Sequence, residues 1–421
     1  MILQILAKHP GMLARRAADA LVERRCTRSL AAVADILISL LSIRIFRHFT
    51  RIRKNKILFS NFSGNYDCNP KYVCEEILRR KLPWEIVWTV WGDGPHRNPT
   101  GPGRYPPGIA LTVRYSGDFY RHLYAAKVIV DNGSSFISAC YPKKRGQFFL
   151  NTWHGSLGIK RFPREDGGEG TLYNLVGRKI GRATDLIVSN SEFEEAYYRE
   201  TYFADTPVKR LGHARNDLFF NKDPAFAARI QGKVRKALGV PAGAKICLYA
   251  PTFRDDGDLR PYDIPYEGLR KALSDRFGGE WTVLTRFHFR TEASARSIAL
   301  PAGVVSATDY PDIHELMFCA DAGITDYSSW ICEYIHTRRP GFLFATDMAH
   351  YGDFERGFYD PLDKMPFPLS TDGDGLLRSI REFDEKKYLA DCDAFVAKKG
   401  CMDDGHAAER IVDLLEEIMK K

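Results

Sequence analysis

The nine cysteines of this 421-residue chain form no C-x-x-C pair and show no metal-ligand spacing, which argues against a zinc or redox motif. Several, Cys247 and Cys332 among them, sit inside apolar runs, so reduced core cysteines in a cytosolic compartment are expected. No basic region followed by a short apolar core and a small-residue cleavage site opens the chain, so no secretory signal is expected. Internal repeats and long low-complexity stretches are absent too, which excludes solenoids and fibrous classes. Net charge is scarce over most of the length: after residue 56 there are 49 basic and 50 acidic side chains.

The positive charge that exists is concentrated. Residues 1–56 carry twelve Lys or Arg against Asp19, Glu23 and Asp35, and they account for the whole excess of +8. Residues 30–43 are strongly apolar but interrupted by Asp35, and arginines flank them on both sides. That run falls short of the roughly 20 residues that span a bilayer. A basic amphipathic helix lying on an anionic membrane surface fits the pattern, and a soluble helical extension packed on the first domain is the other reading. Arginines flanking an apolar stretch, without interleaved stacking aromatics, disfavour a nucleic-acid arm, so no nucleic-acid partner is expected.

What remains is an ordinary globular composition, 44% hydrophobic, long enough for two domains. Strand-like runs at 56–60, 84–91, 128–130, 148–150, 186–189 and 208–211 alternate with helical patterns. A second series follows at 246–249, 281–285, 304–306, 322–324 and 341–344, after a passage at 220–244 that contains Asn221-Lys222-Asp223-Pro224. Short apolar strands alternating with helices predict an α/β chain with parallel sheets covered on both faces. Residues 1–55 are expected to be a basic helical extension, 56–225 the first domain and 226–421 the second.

Two segments carry candidate chemistry. In Ile324-Thr325-Asp326-Tyr327-Ser328-Ser329 a buried strand ends in adjacent hydroxyls where a helix begins. Free backbone N–H groups and the positive end of the helix dipole favour an anion there, although a serine at such a place also serves as a plain N-cap. In Phe148-Phe149-Leu150-Asn151-Thr152-Trp153-His154-Gly155 a strand ends in a histidine, which suits a general base but is equally compatible with a structural imidazole.

Several motifs occur in a telling order. They are Asn151-Thr152-Trp153-His154-Gly155 with Lys160 after it, Leu211-Gly212-His213-Ala214-Arg215-Asn216-Asp217, and Tyr249-Ala250-Pro251-Thr252-Phe253-Arg254-Asp255. Thr285-Arg286-Phe287-His288 and Ile324 to Ser329 follow. Together with Lys56-Ile57-Leu58-Phe59-Ser60 and Asn69-Pro70-Lys71 they resemble the CDP-glycerol glycerophosphotransferase family, which includes teichoic acid primases and polymerases, over residues 56–363. The resemblance implies two facing Rossmann-like domains of GT-B type. It implies transfer of a polyol phosphate, glycerol phosphate foremost, from a CDP-linked donor to a hydroxyl of a lipid-linked or polymer acceptor, with release of CMP. The place implied is the cytoplasmic face of the membrane, peripherally, in wall or capsule polymer synthesis.

By the same resemblance His154 is the base, with His288 and Asp217 beside it in catalysis. Arg254, Arg286, His288, Thr325, Ser328, Ser329 and Glu333 are expected on the CDP donor, Glu333 towards the ribose. Gly155, Lys160 and Arg215 are expected on the acceptor side. Arg254 has an ion-pair alternative, Glu333 a solvated-helix one, and Asp217 could cap a helix starting at Leu218. No acidic cluster resembles the D-x-D metal site of other transferases, so neither metal nor cofactor is expected. The chain departs from the family pattern at Phe253, Ala214 and Phe289, and at Ser156-Leu157-Gly158-Ile159 after His154, which leaves an altered polyol or acceptor open. The same cleft could instead transfer a sugar from a nucleotide sugar, with UDP or GDP leaving.

Overall fold

A computed structural model of the chain describes residues 43–91, 105–114, 116–133, 142–159, 161, 171–252, 254, 262–287, 300–348 and 357–421. The first sheet is built from β1 (Arg53–Phe59), β2 (Glu85–Val90), β3 (Ala110–Val113), β4 (Ala126–Asp131), β5 (Phe148–Asn151), β6 (Leu186–Ser189) and β7 (Val208–Arg210). All seven run parallel in the order β3-β2-β1-β4-β5-β6-β7. The second contains β8 (Lys245–Tyr249), β9 (Trp281–Thr285), β10 (Val304–Ser306), β11 (Ala322–Thr325), β12 (Gly341–Phe344) and β13 (Leu369–Ser370). It is parallel too, in the order β10-β9-β8-β11-β12-β13.

Helices cover both faces, so the central strands are buried along their whole length, as in β9, β11 and β12. In chain order they are α1 (Cys68–Arg79), α2 (Gly117–Ala125), α3 (Thr171–Ala183), α4 (Glu192–Arg199), α5 (Asp217–Phe220) and α6 (Pro224–Leu238). Then come α7 (Tyr266–Phe277), α8 (Ile313–Cys319), α9 (Trp330–Tyr334), α10 (Gly373–Arg381), α11 (Glu385–Lys398) and α12 (Ala407–Lys420). The passage expected at 220–244 is mostly α6. Asp223 accepts from the Ala225 N–H, Pro224 occupies the first turn, and Gly239 ends the helix at φ 65°, where a residue without Cβ is unstrained.

Strand order reverses between β1 and β4 in the first sheet and between β8 and β11 in the second. Ligands of open parallel sheets collect at the carboxyl ends of strands flanking such a reversal, because the helices there leave in opposite directions and open a crevice. The two crevices belong to one cleft between the sheets, as the site shows.

Both ends of the described chain depart from the expected division. The strand β1 already begins at Arg53, inside the stretch expected to be extension, where Arg53 and Lys56 pair with Glu85 at 2.7 and 2.8 Å. Residues 43–49 are helical, with Ile43 buried and Phe46 packed on the α2 side of the first sheet, while Phe49 is 76% exposed. Residues 1–42, with most of the basic segment, lie outside the described residues. At the other end, α12 leaves the second domain and packs on α1, β1 and β4 of the first, burying Ile411, Val412 and Leu415.

The sequence reading offered Asp217 as a catalytic orienter or as the cap of its own helix; the structure corrects both. Its carboxylate accepts the Ala407 and Ala408 N–H groups at 3.0 and 2.7 Å, capping α12 from 190 residues away in sequence. Asp217→Ala is therefore expected to lower stability by about 0.5–2 kcal/mol, the range for lost N-caps, while kcat below the unfolding transition stays near wild type. Denaturant unfolding beside steady-state turnover checks this; a kcat loss without a stability loss contradicts it.

Candidate active site

The first wall of the cleft starts at the end of β5. Asn151 Oδ1 accepts the Trp153 N–H at 2.8 Å, and this turn holds Trp153 at φ 53° with its ring against Tyr198 and Phe203. The chain then presents His154, half-buried between the rings of Phe62 and Trp153, each 4.6 Å away. His154 Nδ1 lies 2.6 Å from the Asn132 carbonyl, at the β1/β4 reversal. A carbonyl only accepts, so Nδ1 carries the hydrogen and the neutral ring offers its Nε2 lone pair. Burial, with Arg215 and His213 nearby, outweighs the Asn132 contact and holds the pKa down to about 4, so the ring is a free base at neutral pH.

The second wall starts at the end of β11. Asp326 Oδ1 accepts the N–H groups of Thr252 and Tyr327 at 2.8 and 2.5 Å, tying the β8 and β11 loops together at their reversal. Ser328 and Ser329 follow. Ser329 stands at the N-cap position of α9 but takes helical angles, φ −66° and ψ −13°, and its hydroxyl makes no cap bond. The plain capping role is thus not what it does. Both serines line a cleft of about 190 Å3, facing Trp153, Gly155, Ser156 and Gly158 of the first domain, with Phe193, Tyr197 and Tyr359 closing one side.

Three donor-side expectations are corrected. Arg254 is buried, with Asp347 at 2.7 and 3.0 Å and Asp326 at 2.9 Å, so the ion-pair alternative is the arrangement found. Thr325 is fully buried and its hydroxyl donates to the Ala250 carbonyl at 2.8 Å, because the strand continues one residue further than expected. Glu333 is also buried, and its oxygens are taken by Arg215 at 2.5 and 3.0 Å and His314 at 3.1 Å. It is shut off from solvent, so the solvated-helix alternative does not hold either. Arg215, expected on the acceptor side, is buried, and its guanidinium donates to the Gly155 carbonyl at 2.8 Å. Gly155 itself lines the cleft.

Arg286 follows the last residue of β9, next to β8. Its Nη1 donates to the carbonyls of Ala307, at 3.3 Å, and Tyr310, and among the described residues no carboxylate comes within ion-pairing distance. It faces Asp67 of the first domain, whose carboxyl burial and the Asp312 charge push up to about 6 while Arg286 pulls it back. His288 and Lys160 lie outside the described residues, as does Asp256-Gly257-Asp258, a D-x-D spacing that the sequence reading passed over.

That reading also missed what lies beneath the cleft. His213 is fully buried with Nε2 3.0 Å from Glu194 and Nδ1 3.7 Å from Glu333, close enough for ion pairing but not aligned for hydrogen bonds. Against burial, Glu194 and Glu333 raise its pKa to about 9. Lys71 of α1 reaches Asp312 at 2.6 Å and Glu315 at 2.7 Å across the domain boundary. Charges this deep persist only when paired, and these pairs fix how the two walls face each other. His213 and Arg215 share one motif, and Lys71 stands in another; the signal was there, but of their acidic partners only Glu333 stands near a motif, while Glu194, Asp312 and Glu315 do not.

A cleft between two parallel-sheet domains, with the turn that carries His154 on one side and the hydroxyls of Ser328 and Ser329 on the other, is the GT-B architecture of transferases. Residues 42–417 match the family of CDP-Glycerol:Poly(glycerophosphate) glycerophosphotransferases, and the chain belongs to it. It is 27% identical over 393 residues to the teichoic acid poly(glycerol phosphate) polymerase of Staphylococcus epidermidis, covering 88% of this chain and 52% of that protein. It is also 27% identical over 378 residues to the teichoic acid glycerol-phosphate transferase of Staphylococcus aureus, covering 85% of this chain and 92% of that protein. The solved wall teichoic acid polymerase TagF shares the fold, with a TM-score of 0.76 at 24% identity over 98% of both chains.

Proposed function

We propose that the chain transfers glycerol phosphate from CDP-glycerol to a hydroxyl of a lipid-linked or polymer acceptor, releasing CMP. The observation that carries this reading is the neutral His154, Nε2 lone pair free, beside a cleft whose opposite wall is Ser328 and Ser329. The acceptor O–H gives its proton to His154 Nε2 as its oxygen bonds to the phosphorus bearing glycerol. The bond from that phosphorus to the bridging oxygen breaks, and the electron pair leaves with CMP. Charge then grows on the bridging and terminal oxygens, where Ser328, Ser329 and Arg286 supply hydrogen bonds and positive charge. Family membership supports a CDP-linked donor; the departures at Ser156-Leu157-Gly158-Ile159 keep ribitol phosphate in view.

Incubation with CDP-glycerol, CDP-ribitol and UDP-sugars, following free nucleotide, tests the reading. CMP release from a CDP-polyol is expected, and UDP release alone overturns it. Arg286→Ala removes a charge-assisted contact worth about 1.5–3 kcal/mol, so kcat/KM should fall about 10- to 100-fold. Wild-type kinetics in that variant would take Arg286 out of the site.

The proposal extends to the membrane surface through the basic residues before Arg53, with Ile45 and Phe49 exposed on the first described helix. Removing residues 1–42 should weaken sedimentation with anionic vesicles and leave the folded domains intact by circular dichroism. Unchanged sedimentation would refute the anchor.

A further inference from the structure

Away from the cleft, three segments meet around one carboxylate. Asp403 lies in the connection from α11 to α12, Cys401 two residues before it, and His336 in the 3-10 turn Ile335–Thr337 that continues α9. The His336 and Asp403 side chains are 6% and 1% exposed. His336 Nε2 is 3.5 Å and Cys401 Sγ 3.6 Å from Asp403 Oδ2, and the three atoms lie within 4.8 Å of one another.

The His336 spacing is too long for a good hydrogen bond and the Cys401 one is that of a thiol donating to a carboxylate, and both also fit ligands around a common centre. With Zn–N and Zn–O near 2.0–2.2 Å and Zn–S near 2.3 Å, tetrahedral ligand atoms stand about 3.3–3.6 Å apart. The buried polar groups point the same way. His336 Nε2 has no hydrogen-bond partner, and neither do Asn190 Oδ1 and Asn216 Oδ1, although both asparagines are fully buried. Their amide nitrogens crowd Asp403 Oδ2 at 2.8 Å each, beside the His213 N–H on Oδ1 at 2.8 Å. Rotating the Asn190 amide would let its oxygen accept from Ser156 Oγ, now 3.3 Å from its nitrogen, and turn towards the same centre. Of these groups His336 Nε2 is the one that already faces Asp403, buried and without a hydrogen-bond partner.

We propose that His336, Cys401 and Asp403 bind one zinc ion, with the Asn190 carbonyl oxygen available as fourth ligand. Imidazole, thiolate and carboxylate together suit zinc, whereas magnesium and calcium avoid sulfur. On binding, Cys401 loses its thiol proton to solvent and His336 ligates as the neutral ring. The ion is structural: it joins the segment leading into α12 to the turn behind α9 and to Asn190 at the end of β6. Spacing rules miss it because His336 lies 65 residues before Cys401.

The test is metal content and cobalt spectroscopy on the full chain. Protein isolated without chelator and freed of any polyhistidine tag should hold about one zinc per chain, and zinc should raise Tm while EDTA lowers it. Cobalt substitution should give a thiolate-to-metal charge-transfer band, lost in Cys401→Ser, with zinc affinity at least about tenfold weaker there and in His336→Ala. No bound zinc and no thiolate band on cobalt addition would overturn the proposal, leaving a His336–Asp403 ion pair. Undiminished affinity in Cys401→Ser would overturn it too. If that variant does not fold, the wild-type cobalt spectrum alone decides.

Discussion

His154→Ala should lower kcat by about 10²- to 10⁴-fold, the usual contribution of a positioned general base, with donor affinity nearly unchanged. The split follows from place: His154 is fixed by the Asn132 carbonyl on the first-domain wall, while the proposed donor contacts stand on the second. Isothermal titration with CDP-glycerol, read beside single-turnover rates, checks it. A loss of donor affinity as large as the loss in rate would contradict the assignment. The pH profile is a second readout. A base works only unprotonated, and burial holds His154 at about 4, so kcat should stay level from pH 8 down to about 5 and fall only as pH approaches 4. An acidic limb near the ordinary histidine value of about 6.5 would show an imidazole open to water instead.

Glu333→Ala should be the most destabilising single change, by about 3–5 kcal/mol, because it leaves buried Arg215, His213 and His314 facing one another without the anion between them. Urea unfolding measures it. A loss under about 1 kcal/mol would mean that the pairs are wetter than their burial indicates. Activity should fall as well, since Arg215 then loses the partner that aims it at the Gly155 carbonyl. The histidines add a pH signature. His213 is raised to about 9, so its contribution to stability is complete below its unfolded value of about 6.5 and is lost as pH rises through 9. Wild-type stability should therefore decline from pH 7 to pH 10, and His213→Gln should flatten that decline.

The fold was largely legible because its central strands are short, apolar and bounded by polar turns. Leu186–Ser189, Trp281–Thr285, Val304–Ser306 and Gly341–Phe344 begin and end where the sequence pattern puts them. The two strands it missed are edges. Ala110–Val113 is four residues with one buried side, and Leu369–Ser370 is only two, so neither carries a hydrophobic run. The site was legible as a place, since the strand-end turns carrying His154 and Ser328 stand at the cleft where the pattern puts them. It was misread where a charged residue of a motif has a buried partner elsewhere in the chain, as Arg254 has in Asp347, Glu333 in Arg215 and Asp217 in the start of α12. Local sequence announces a charge but not whether water or a distant carboxylate will meet it.

The helix capped by Asp217 also sets an order in time. The face of the first sheet that α12 covers, with α1, β1 and β4 beneath it, is made early in synthesis, but its cover is the last helix of the described chain. The N-terminal domain therefore cannot close its core from its own residues alone. It stays partly open until residues 407–420 have been made and folded back onto it.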